Sequence, residues 1–240
     1  MSDRIYYGLF FVKLRAMTIL YEDNHIIIVN KTNNEIVQVD KTGDLSLEEA
    51  LKNYIKEKYA KPGNVFLGVP HRLDRPVSGI VVFAKTSKAL TRLNGMFCNG
   101  EVHKTYWAIV KDRPAQDAAV LEQYIVRNEK QNKSYVYNEP RPGTKKAVLS
   151  YRLLSTSDRY ALLEVDLKTG RHHQIRCQLA AMGCPIKGDL KYGFPRSNPN
   201  GGISLHARRI QFVHPVSKEP IDVTAPCPKD DTLWQILGNL

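Results

Sequence analysis

Cysteine is scarce in this chain and its spacing offers nothing to a metal. Four cysteines stand at positions 98, 177, 184 and 227 of 240 residues, with no CxxC pair and no zinc-type grouping. So few and so scattered, they speak against a disulfide framework and suggest a reducing, cytoplasmic setting. Adjacent His172 and His173 offer no metal site either, because on a helix they would diverge by about 100°. Long apolar runs are also missing, and none approaches the roughly 18 residues that a membrane span requires. The N-terminal YYGLFFV is too short for a secretory signal and lacks a small-residue cleavage site. Acid is in deficit as well: 24 Asp and Glu face 35 Lys and Arg, for a net charge of +11 and a pI near 9.4. That excess favours a polyanionic partner, nucleic acid ahead of a membrane surface. No internal repeat and no linker divides the sequence. A hydrophobic fraction of 42% is ordinary for a globular protein long enough to bury a substantial core.

What is present is organised around HRLDRPVSG, His71 to Gly79. Short apolar segments flank it, NVFLGV before and IVVFAK after, and both read as strands. Between them lie one carboxylate, Asp74, the guanidiniums of Arg72 and Arg75, and Pro76 to fix a turn. Cations beside an acid favour its charged form, so Asp74 is a candidate nucleophile or base on a loop over a strand scaffold. A surface aspartate pairing with neighbouring arginines is the plainer alternative.

Around that centre, Thr18 to Lys31 reads as a strand between turn signals. SLEEALKNYIKEKY reads as a helix, with a Ser46–Glu49 capping box and an apolar face of Leu47, Ala50, Leu51, Tyr54 and Ile55. SKALTRLNGMF is a second helix closed by Gly100, and VHKTYWAIV a strand. Residues 112 to 145 look irregular and polar. AVLSYRLL and YALLEVDL form a strand pair turning at STSDR, and TLWQILG is a short C-terminal helix. In the segment from Thr169 to Gly193, Ile175, Leu179 and Met182 share a helical face and Gly183 fits its C-terminal cap. Hairpins mixed with isolated helices favour an α+β fold over a regularly alternating α/β one.

HRLDRPVSG resembles the signature of the RluA-type pseudouridine synthases, with Val77 departing from the usual residue at a variable place. The resemblance runs from about Ile19 to about Pro226 and rests on five separated segments. Among them are K-x-Y at Lys104 to Tyr106, TGRHHQIR…GCPIKGDLKYG, and LHARRIQFVHP. It implies a long mixed, mostly antiparallel sheet with the active cleft across its middle. It also implies isomerisation of uridine to pseudouridine within tRNA or ribosomal RNA, with no cofactor and no metal. Asp74 would be the catalytic carboxylate, attacking ribose C1′ or uracil C6. Arg176 would pair with it, and Ile175 beside it would contact substrate. Asp166 and Asp189 match positions that are not general acids, which disfavours a two-carboxylate glycosidase.

The chemistry requires an unstacked base. Tyr106 could hold the uracil face by stacking, in place of an ordinary strand tyrosine, and Arg72 could fill the vacated stack with its planar guanidinium. A catalytically silent RNA-binding module is the rival, disfavoured by Asp74, Tyr106 and Arg176 occurring together. Residues 17–240 would form the catalytic domain, acting as a monomer, with residues 1–16 outside the fold. No room is left for the S4-like domain that often precedes it. Specificity would then fall to a basic, Tyr-bearing rim from Arg127 to Lys146, with Lys130, Lys133, Lys145 and Lys146 as RNA-contact candidates and an RNA stem-loop as partner.

Overall fold

The computed structural model describes residues 17–39 and 43–238, so the expectation for residues 1–16 lies outside the described residues. Ten strands form one sheet in the order β1-β2-β3-β9-β4-β8-β7-β5-β6, with β10 pairing onto β9. They are β1 Thr18–Glu22, β2 Ile26–Lys31, β3 Ser78–Ala84, β4 His103–Lys111, β5 Ala118–Asn128, β6 Lys133–Tyr137, β7 Lys145–Thr156, β8 Tyr160–Leu167, β9 Leu205–Val213 and β10 Pro220–Thr224. Among the described residues four helices flank it: α1 Leu47–Lys58, α2 Ser87–Asn99, α3 Gln174–Ala181 and α4 Thr232–Gly238. The α+β architecture expected from the sequence is the one observed.

Period-2 alternation sorts the side chains onto two faces. On β3, Ile80 and Val82 enter a core shared with Ala89 and Leu93 of α2 and Ile175 and Leu179 of α3. Val81 and Phe83 point the other way, beneath Leu47, Leu51 and Ile55 of α1. On β4, Tyr106 and Ala108 face the first core, whereas Trp107 and Ile109 pack under Trp234 and Leu237 of α4. Covered on both faces, β3 is buried at all seven positions, which explains its unbroken apolar run.

Every strand pair is antiparallel except β3 with β9, joined only through Ser78↔His206 and Gly79↔Ala207. Gly79 has φ +112°, and a Cβ there would meet the Ala207 carbonyl oxygen at 2.4 Å. Only glycine allows the strands to meet so closely. This seam lies directly after the HRLDRP loop.

Local signals fared well at the helices. Ser46 and Glu49 form the reciprocal capping box. Gly100 caps α2 in the left-handed conformation, and Gly183 follows α3 at φ +85°. Three expectations need correction. NVFLGV contributes only an isolated bridge, Gly68↔Ala84, not a strand. Thr18 to Lys31 is a hairpin of two strands, turned by Asp23, whose Oδ1 accepts from the His25 and Ile26 N–H groups. Residues 112 to 145 are not irregular: they hold β5 and β6. These strands lie at the sheet edge with at least one exposed face, so their apolar content is thin. Among the described residues no helix is long and apolar enough to cross a membrane.

Candidate active site

The HRLDRP loop is anchored from below. Lys31, 1% exposed at the end of β2, donates to the carbonyls of Thr32, Arg75 and Val77 at 2.9, 3.0 and 2.7 Å. An ammonium so buried is tolerated because three acceptors replace its water. The Val77 N–H closes a turn onto the Asp74 carbonyl at 3.0 Å, and the Ile203 N–H donates to Pro76. Beneath the loop, the Val82 N–H donates to His71 Nε2 at 2.9 Å, while the imidazole stacks on Phe97 at 4.5 Å. Burial, helped by the charge of Lys104, pushes His71 down to about 3.

So held, Asp74 lines a cavity of about 540 Å³ with Arg72, Lys104, Tyr106, Ile175 and Arg176. Arg176, 5% exposed on α3, donates from Nη1 to Asp74 Oδ2 at 3.0 Å. Its other edge binds Asp189 in the two-point manner, Nε to Oδ2 at 2.7 Å and Nη2 to Oδ1 at 2.9 Å. Burial pulls this guanidinium down, but Asp189 and then Asp74 more than offset it, so it stays firmly charged. The forked contact is thus made to Asp189, and Asp74 receives a single bond.

Tyr106 is 8% exposed, and burial followed by the Asp74 charge raises its phenol well above the usual tyrosine range. It is a neutral ring on the cavity wall. Ile175 lies beside it, 4% exposed. Arg72 is exposed at the mouth, and Arg75 pairs with Asp44 at 2.5 Å. The one cation that touches Asp74 among the described residues thus comes from α3, not from its neighbours in sequence. Of the rim candidates, Lys130 and Lys145 are exposed, and Lys146 pairs with Glu122 at 2.5 Å. Lys133 lies over the Tyr135 and Tyr192 rings at 5.7 and 5.3 Å. The rim meets the cavity where Arg171 Nε donates to the Lys146 carbonyl at 2.9 Å.

Three participants escaped the reading of the sequence. His173 places Nε2 3.3 Å from Asp74 Oδ2, and its Nδ1 lies 2.8 Å from the Tyr192 hydroxyl. His172 and His173 do not diverge as on a helix: His173 sits at the left-handed N-cap of α3, and the rings stack at 3.8 Å. Lys104 reaches into the cavity, 5.8 Å over Phe97, its pKa lowered by burial against the opposing pull of Asp166. Lys104 could have been found from K-x-Y, and His173 from its place two residues after Gly-Arg. Lys31 carries no such signal. Among the described residues no cluster of three His, Cys, Asp or Glu could hold a metal.

A carboxylate bonded to a buried arginine and a neutral aromatic wall thus share one open cavity, with the basic rim beside it. The family description "RNA pseudouridylate synthase" matches residues 25–181. Over 238 residues the chain is 33% identical to ribosomal large subunit pseudouridine synthase D of Xylella fastidiosa, covering 93% of this chain and 69% of that one. It is 31% identical to tRNA pseudouridine synthase C of Vibrio cholerae, covering 91% and 93%. The solved structure of human RNA pseudouridylate synthase domain containing 4 superposes with a TM-score of 0.79 at 25% identity, covering 93% of this chain and 94% of that one. With most of its length matched in sequence and the same sheet recurring in a solved relative, the chain belongs to the RNA pseudouridylate synthase family and is an isomerase of that kind.

Proposed function

We propose that this protein converts uridine to pseudouridine in a tRNA or ribosomal RNA stem-loop, flipping the base into the cavity and using Asp74 as the nucleophile. The observation that carries the reading is a carboxylate bonded to a buried, charged arginine inside an open cavity walled by a neutral tyrosine. The substrate class follows from the ribosomal and tRNA synthases that the chain resembles.

In the overall change the C1′–N1 bond breaks and a C1′–C5 bond forms, C5 loses a proton and N1 gains one. The product is an isomer of the substrate, so atoms balance without a co-reactant. Asp74 can open the sequence by attacking uracil C6, which tethers the base while it rotates, or ribose C1′, which tethers the sugar while the released uracil anion turns in the cavity. Arg176 aims the carboxylate through a charge-assisted hydrogen bond. Tyr106 offers the uracil a ring to stack on, a contact worth about 1–3 kcal/mol. Arg72, exposed at the mouth, can fill the stack that the base leaves. A two-carboxylate hydrolase fits poorly, because Asp189 is 1% exposed and both its oxygens are bound by Arg176.

Two measurements test the proposal. Pseudouridines mapped in tRNA and ribosomal RNA from cells with and without the gene should differ at one or a few positions. On that RNA, Asp74→Asn should abolish product while RNA affinity stays within about threefold, since affinity rests on many phosphate contacts. Turnover by the Asn variant would remove Asp74 from the role of nucleophile.

A further inference from the structure

We infer that His173 is a positioning residue for Asp74, and that Tyr192 holds its imidazole in the one tautomer able to serve. The inference rests on the reading of Asp74 as the attacking group. Three contacts run in series from the rim to that carboxylate. The Ser134 N–H on β6 donates to the Tyr192 hydroxyl oxygen at 2.8 Å. That oxygen lies 2.8 Å from His173 Nδ1, and His173 Nε2 lies 3.3 Å from Asp74 Oδ2.

A backbone N–H can only donate, which fixes the direction of the chain. With Tyr192 already accepting from Ser134, its own proton is free to point at His173 Nδ1. Nδ1 therefore accepts, the ring proton resides on Nε2, and Nε2 is the ring nitrogen that lies 3.3 Å from the carboxylate. The other tautomer would turn a nitrogen lone pair toward Asp74 and force the Tyr192 oxygen to accept twice. A third state, imidazolium, is suppressed: the ring is buried beside Arg176 and His172, and burial, outweighing the pull of Asp74, pushes it down to about 3.

The scaffold holds the ring there at some cost. His173 takes φ +54°, a left-handed conformation that non-glycine residues seldom adopt, and such strain persists where surroundings over-determine it. His172 stacks on its face, itself tied to Ser134 Oγ at 2.9 Å. His173 and Arg176 both converge on Oδ2, and among the described residues no donor reaches Oδ1. His173 thereby helps leave Oδ1 as the oxygen with both lone pairs free to attack.

The test uses the full chain labelled with 15N-histidine and an RNA substrate that it modifies. Long-range 1H–15N spectra should show His173 as the Nε2–H tautomer in the wild type. In Tyr192→Phe, which keeps the ring and removes the proton donor, that signature should be lost. The same variant should lower kcat about tenfold or more, as loss of tautomer control does elsewhere, with KM changed less than about twofold. His173→Gln, whose amide can present N–H near the Nε2 position, should recover most of the kcat that His173→Leu loses, with thermal melts confirming that both are folded. An Nδ1–H tautomer in the wild type overturns the inference, as does equal turnover by the Gln and Leu variants. The spectra need no activity, so an active Asp74→Asn would sink the Asp74 reading without altering the tautomer result.

Discussion

Arg176 serves two carboxylates at once, so its loss should show in two measurements. Arg176→Ala leaves Asp74 without its cation and Asp189, 1% exposed, without either hydrogen bond. Single-turnover rates should fall close to those of Asp74→Asn. Breaking a buried pair costs about 3–5 kcal/mol, so the melting temperature should drop by roughly 6 °C or more. Lysine should rescue little, because one ammonium cannot reproduce the fork to Asp189. A variant of normal activity would show that the ion pair is idle. Tyr106 separates differently. Tyr106→Phe keeps the ring and should retain RNA binding, whereas Tyr106→Ala should lose stacking worth about 1–3 kcal/mol and most turnover, both read from binding and kinetics on the same RNA. Equal turnover by Ala and wild type would make Tyr106 an ordinary wall residue.

The elements differ in how openly the sequence announces them. α1 was legible because a capping box and an apolar face at helical spacing are local signals, and α2 likewise from its spacing and Gly100. The β5–β6 hairpin was not, since strands half exposed at a sheet edge carry too little apolar alternation to stand out among Lys, Asn and Pro. Asp74 and Arg176 lie 102 residues apart, and periodicity is silent over such a span. That pair was read only through motif resemblance, and resemblance placed no emphasis on His173, whose contact depends on an unusual backbone angle. The hairpin bears the rim prediction. Neutralising Lys130, Lys133, Lys145 and Lys146 together should weaken RNA binding and reduce its dependence on log salt by about 2–3 units, at roughly 0.7–0.9 per phosphate contact. The shortfall from four contacts reflects Lys146, already paired with Glu122. An unchanged slope would move recognition off this hairpin.

For the molecule as a whole, acid is the condition to fear. Burial holds His173 near 3 and His206 near 4, against about 6.5 for a free imidazole. The folded state thus binds these protons less readily than the unfolded one. Their contribution is complete above about pH 6.5 and is lost as pH falls through that value toward 3–4. At pH 5 the loss reaches at most about 2 kcal/mol per imidazole. Thermal melts should therefore fall steeply between pH 7.5 and pH 5, well before Glu22, held near 2 by Lys58, Lys85 and two tyrosines against the opposing effect of burial, begins to protonate. A melting temperature flat across that interval would place these histidines outside the stability balance.

The two-residue seam between β3 and β9 also sets an order in time. Asp74 arrives with the first three strands, yet its arginine and histidine lie a hundred residues later, and Ala207, against which Gly79 closes, later still. A chain emerging from the ribosome thus displays its carboxylate long before it has an arginine to aim it or a strand to seat its loop. The pocket is complete only when the last third of the chain, which supplies β8, α3 and β9, takes its place in the middle of the sheet.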